Sequence, residues 1–314
     1  MDLITKGNII FPNLNIELKN VPFGIDFFGY NIAFYGIVIG IGMLFGWLIT
    51  EWMAKKTGQN TEFYLDFALV AIVLCVIGAR VYYVLFAWEE FADNPLSVFN
   101  LRTGGLAIYG GIITAVIVTI VYAKIKKYSV GLLADTGCIG LVTGQMIGRW
   151  GNFFNREAFG KYTDGIFAMQ LNRNDVSNIF TESVSAATLQ AKYADKTAAL
   201  NRILEIRNHV TSIKGVEYIQ VHPTFLYESF WNLCLLVLLI LYTKYKKFDG
   251  EVMLLYLMGY GLGRVWMEGL RTDQLFLWGT PFAVSQVFSA VLVVGAFAMI
   301  IICRHKMTIR TKKK

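Results

Sequence analysis

FYLDFALVAIVLCVIGARVYYVLFAW, residues 63–88, contains one acidic residue, Asp66, and one basic residue, Arg80. At about 1.5 Å per residue, a helix of this length outspans a hydrocarbon layer of about 30 Å. In lipid an unpaired backbone amide is too costly, so such a run must be helical. Outward from it the chain offers six comparable runs, near 27–50, 104–123, 130–149, 224–243, 251–270 and 281–303. The expectation is an all-α polytopic membrane protein of about seven transmembrane helices. Porin-like alternation in short segments is absent.

Composition agrees. The 314 residues are 55% hydrophobic and only 16% charged, with a mean hydropathy of +0.50; soluble domains carry about 25% charged residues. The net charge of +7 is distributed as a topology signal. Four segments, 51–62, 124–128, 244–247 and 304–314, hold 14 of the 29 Lys and Arg residues, each at the same end of alternate apolar runs. The positive-inside rule then sets the N-terminus outside and the basic C-terminal tail in the cytoplasm. No basic patch with interleaved aromatics suggests nucleic acid. No cleavable signal peptide is expected, because the segment before Phe27 is mixed and polar.

Three parts follow: residues 1–154 with the first four spans, a polar stretch 155–222, and residues 223–314 with the last three spans and the tail. The polar stretch is too long for a simple loop, so it is expected to form a small extracytoplasmic head subdomain, helical around Asp195–Arg207. Gly36/Gly40 and Gly42/Gly46 are small-xxx-small pairs that suit close helix packing. Residues 259–263, GYGLG, lie within a span and are no dinucleotide fingerprint. Cys75, Cys138, Cys234 and Cys303 all sit in apolar runs with no metal-type spacing. They are expected to pack, with no metal and no cofactor implied.

Ionisable residues within spans are costly and mark candidate sites. Arg80, Arg149 and Glu228 lie toward the outer ends of their spans. Tyr260, Arg264, Glu268 and Arg271 recur along one helix face. Tyr35 and Tyr109 sit near the outer ends of the first and third spans. Asp66 and Asp135, at the cytoplasmic side, read as helix-terminus carboxylates with a structural role. Arg264–Glu268 taken alone is equally a structural ion pair, and Arg80 can snorkel outward. Several guanidinium groups at one depth suit the phosphate of a phospholipid head group.

One stretch carries a family resemblance. Gly148-Arg-Trp-Gly-Asn-Phe-Phe-Asn-Arg-Glu-Ala-Phe-Gly160 closely resembles the signature of prolipoprotein diacylglyceryl transferases, with Gly148, Arg149, Gly151, Asn152, Asn155, Glu157 and Gly160 in place. Three further blocks agree in order: residues 104–111, His222-Pro-Thr-Phe-Leu-Tyr-Glu228, and residues 259–271. The resemblance implies transfer of a diacylglyceryl group from phosphatidylglycerol to the lipobox cysteine of a prolipoprotein signal peptide in the bacterial inner membrane, forming a thioether and releasing glycerol phosphate. Its catalytic set would be Arg149, Arg264, Tyr109, Glu268 and His222. Tyr35, Arg80, Asn152, Asn155, Glu157, Gly160, Glu228, Tyr260 and Arg271 would bind substrate. Many members carry histidine where this chain has Tyr109, and a neutral tyrosine, with a pKa of about 10, is a poor base. A cysteine thiol, near 8.5 and lower beside arginines, needs little help. The base stays open. A phospholipid transporter with the same cationic pocket is the alternative, and it would require polar residues in both halves of the bundle.

Overall fold

The computed structural model describes residues 2–5, 7–101, 104–181, 184–192, 197–272, 274, 280 and 282–312. The protein is a mostly helical polytopic membrane protein. Its long helices are α1 (Phe34–Lys56), α2 (Thr61–Phe86), α3 (Ile108–Ile125), α4 (Val130–Asn155), α7 (Thr224–Tyr242), α8 (Glu251–Glu268) and α9 (Val284–Lys312). Among the described residues, six helices are long and apolar enough to cross a membrane, and α8 is the one left out. Its 18 residues carry Arg264 and Glu268 besides the capping Glu251, so its mean hydropathy is diluted by the groups that form the site.

Boundaries differ from the hydropathy reading where backbone chemistry intervenes. The first span was expected from residue 27, but 27–33 are strand and turn and the helix starts at Phe34. The third starts at Ile108, after Gly104 and Gly105 at φ +83° and +75°, a conformation in which a helix cannot begin. The start of α2 is fixed by Asn60, whose side chain accepts the Glu62 amide at 3.0 Å.

The chain divides into two compact units. The first comprises residues 1–46, 141–242 and 254–314. It contains two sheets, built from β1 (Asp2–Thr5), β2 (Ile9–Phe11), β3 (Ile16–Leu18), β4 (Pro22–Phe27), β5 (Tyr30–Ala33), β6 (Met169–Asn172), β7 (Thr211–Ile213) and β8 (Val216–Val221). One sheet has the order β1-β4-β5, the other β3-β2-β6-β8-β7. The polar stretch thus makes a real core, yet shares its sheet with the N-terminal strands: Ile9 pairs with Leu171 and Ile10 with Gln170. Ile9, Leu171, Ile203, Ile206 and Ile219 are fully buried together, with α6 (Thr197–Asn208) supplying two of them. The helix α5 (Ala186–Lys192) precedes it; the start of the expected helical run, Asp195 and Lys196, lies outside the described residues, as do the last two residues of the basic tail.

Of the glycine pairs on α1, Gly42 faces α4, where an added Cβ would lie 3.1 Å from the Gly144 carbonyl oxygen. Gly36 and Gly40, by contrast, look onto open space, while Gly46 is buried like Gly42.

The second unit comprises residues 47–140 and 243–253. There α2 and α3 pack closely, and Tyr64, buried at 1% exposure, packs with Ala54, Ala123 and Leu133. Asp135 caps a helix, though not its own. Its carboxylate accepts the amides of Gly250 and Met253, each at 2.9 Å, at the start of α8, and pairs with Lys246 at 3.0 Å. Its structural reading from sequence was right in kind; the helix served is α8.

A candidate active site around Glu228

The signature segment ends α4. Arg149 lies in the last turns of that helix, and two residues on Gly151 admits the ring of Tyr35: a Cβ there would stand 2.8 Å from a ring carbon. The helix stops because Arg156 and Ala158 adopt φ +53° and +56°. Gly160 and Lys161 then thread between two other segments. The Gly160 amide donates to the His222 carbonyl at 2.9 Å, and the Lys161 amide to the Leu270 carbonyl at 2.8 Å. Any side chain at Gly160 would collide, its Cβ 2.8 Å from that of His222 and 3.1 Å from the Leu270 oxygen. This clamp fixes the end of α4, the start of α7 and the end of α8 relative to one another.

Held so, three arginines from two helices and a following turn meet one carboxylate. Glu228 on α7 takes Arg149 Nε at 2.8 Å on one oxygen. Its other oxygen faces Arg264 Nη1 at 3.8 Å and Arg271 Nη1 at 3.7 Å. Arg264 also reaches Glu268 at 2.6 Å, as a charge contact without the alignment of a hydrogen bond. The Glu228 side chain is 8% exposed, against 19%, 21% and 12% for the three arginines, so the cations retain an open side and the carboxylate does not. Three guanidiniums against two carboxylates leave one surplus positive charge in this group. A small open cleft adjoins it, lined by Glu228, Trp231, Asn232, Tyr260, Gly263, Arg264 and Met267.

The other expected site residues divide. Tyr260 lines the cleft and stacks on Tyr256, ring centroids 5.7 Å apart. His222 places Nδ1 3.2 Å from the Tyr227 hydroxyl; burial and the neighbouring Lys161 charge push its pKa below the usual value, which keeps it neutral at pH 7. Glu157, expected to bind substrate, is exposed and accepts from Asn155 Nδ2 at 3.1 Å. Asn155 keeps a buried carbonyl oxygen with no hydrogen-bond partner among the described residues. The Asn152 carbonyl accepts the Glu157 amide at 3.1 Å.

Arg80 and Tyr109 belong to the second unit. All five N–H groups of Arg80 are engaged by backbone carbonyls, those of Ser97, Val98, Asn100, Gly104 and Gly105, at 2.7–3.0 Å. Expected to bind substrate, it is a loop organiser, since a guanidinium so saturated has no donor left for a phosphate. Tyr109 stands in the first turn of α3 and is 51% exposed.

Two contributors escaped the sequence reading. Asn232, 2% exposed, lines the cleft one helical turn after Glu228; an amide in an apolar span was the available signal. Arg156, inside the quoted signature, is 2% exposed. It donates to the carbonyls of Phe154, Gly7 and Val21 and lies 3.6 Å from Asp175. Nothing local announced that role, because two of its acceptors, Gly7 and Val21, are more than a hundred residues away in sequence.

The model of the family described as prolipoprotein diacylglyceryl transferase matches residues 22–302. A phosphatidylglycerol–prolipoprotein diacylglyceryl transferase of Bacillus cereus strain B4264 is 37% identical over 279 residues, covering 88% of this chain and 90% of the relative. One of the same name from Bacillus anthracis matches to the same extent, 37% over 279 residues. A signature seated on a shared arginine–glutamate centre and a match along nearly the whole chain lead to one conclusion: this chain belongs to the prolipoprotein diacylglyceryl transferase family.

Proposed function

We propose that the protein transfers the diacylglyceryl group of phosphatidylglycerol to the lipobox cysteine thiol of prolipoproteins. The observation that carries this reading is the meeting of Arg149, Arg264 and Arg271 on Glu228 beside an open cleft. The sulfur forms a bond to the glyceryl carbon while that carbon's bond to the phosphate ester oxygen breaks. The thiol's proton ends on the departing glycerol phosphate or in solvent, and negative charge gathers on that phosphate as the ester oxygen leaves. Guanidiniums fixed before the reaction stabilise such charge without reorganising. Their surplus positive charge matches a singly charged phospholipid, and Glu228 holds them at close quarters against mutual repulsion. Arg149 and Arg264 are assigned to the leaving phosphate, Arg271 and Tyr260 to the lipid head, and Tyr35 to the wall behind Gly151. Glu268 orients Arg264.

The same reading sets the enzyme in the bacterial cytoplasmic membrane with seven spans, α8 included. The N-terminal strands and residues 155–222 lie outside, and the C-terminus lies in the cytoplasm. Purified protein with phosphatidylglycerol and a lipobox peptide is expected to add one diacylglyceryl mass to the peptide thiol by mass spectrometry, and Arg149→Ala to abolish the product. Normal transfer by a correctly inserted Arg149→Ala protein would remove the site.

A further inference from the structure

The three-stranded sheet ends in an open edge beside the site. Phe28 and Gly29, at φ +51° and +79°, form a two-residue turn that closes the hairpin at Phe27 and Tyr30. Antiparallel alternation then lets Ile32 exchange hydrogen bonds with Ile25, while the amide and carbonyl of Asn31 point away from β4. No strand covers that side among the described residues, since β5 ends the sheet. Protein sheets usually blunt such edges with lysine or proline; β5, Tyr-Asn-Ile-Ala, has neither. One face of the sheet is apolar and open, with Leu3 61%, Phe27 47% and Ile32 44% exposed. The edge also leads to the chemistry. Directly after β5, Phe34 stacks on Phe154 at 5.2 Å, and Tyr35 fits against Gly151, two residues past Arg149 on α4.

We infer that β5 is a docking strand: the extended apolar segment around the acceptor cysteine of the protein substrate adds to its open edge. This rests on the transferase reading and specifies how the peptide is held. Main-chain hydrogen bonds align the segment, and alternate side chains rest on the Leu3–Ile25–Ile32 face. The strand runs on into the Phe34 and Tyr35 contacts with α4, so the added segment is expected to end near the helix that carries Arg149.

Asn31→Pro removes the outward amide but leaves the Ile25–Ile32 pairing, a position where an edge strand accepts proline. With a lipobox peptide and phosphatidylglycerol, this variant is expected to raise the peptide KM up to about tenfold, as for one lost hydrogen bond. Its kcat at saturating peptide and its KM for phosphatidylglycerol should stay put. Wild-type protein supplies a second reading: N-methylating one alternate set of peptide amides should weaken binding, and methylating the other should not. An unchanged peptide KM in Asn31→Pro, or equal responses to the two methylated sets, overturns strand addition and leaves the apolar face to lipid. Absence of transfer by the wild-type protein to the unmethylated peptide overturns the transferase reading itself.

Discussion

Arg149 and Arg264, carried by different helices, share a single counter-ion: Glu228 takes the first on one carboxylate oxygen at 2.8 Å and faces the second with the other at 3.8 Å. Neutralising that carboxylate leaves like charges facing one another without the anion between them. Glu228→Gln is expected to lower the transfer rate by about 10- to 100-fold, because the guanidiniums lose the geometry on which charge stabilisation depends. Initial rates on the purified variant decide this. A rate within about twofold of wild type would make Glu228 a bystander.

Sharing one partner also makes the two arginines interdependent. In a double-mutant cycle with Arg149→Lys and Arg264→Lys, the combined loss should fall short of the summed single losses, with a coupling of about 0.5–3 kcal/mol. Lysine keeps the charge but not the fork, so each single change should already be severe. Strict additivity would argue for two separate sites.

Gly160→Ala tests the clamp. The new methyl meets His222 Cβ and the Leu270 oxygen, and overpacking of this kind costs about 1–3 kcal/mol. Thermal unfolding in detergent should shift downward, with a rate loss traceable to displaced Arg271. An unshifted melting curve would show that the clamp yields freely.

The pH response follows from His222. Its folded pKa is held down, so the unfolded chain binds the proton first. The stability this contributes is present above the ordinary value of about 6.5 and is lost as pH falls below it. Melting temperature from pH 8 to 5 should decline more steeply for wild type than for His222→Gln. Identical slopes would assign the acid response to other groups.

The chain's own thiols take no part in the proposed reaction. Cys138 is buried, Cys234 is exposed, and Cys75 and Cys303 are intermediate, all four free. A protein with all four changed to alanine or serine is expected to keep its transferase activity; complete loss in a correctly inserted variant would instead indicate a covalent enzyme intermediate.

Much of this was legible because membrane helices obey local rules. Run length gave the helices, and the depth of Arg149, Glu228, Arg264 and Arg271 marked the groups that converge. Local rules also produced the errors. Depth could not distinguish Arg80, saturated by loop carbonyls, from an arginine facing a cleft. Motif position grouped Glu157 with Glu228, although the left-handed residues Arg156 and Ala158 turn the chain between them. The pairing of β2 with β6 joins segments some 160 residues apart, and no local pattern encodes such a register.

The family match starts at residue 22, yet Arg156 reaches behind that point to the carbonyls of Gly7 and Val21. Deleting the first twenty-one residues would therefore leave a buried charged side chain without two of its three carbonyl acceptors, and would strip two strands from the sheet of the polar stretch. An affinity tag is best placed at the other terminus, and homologues with divergent N-terminal segments should be compared by whether they supply those carbonyls.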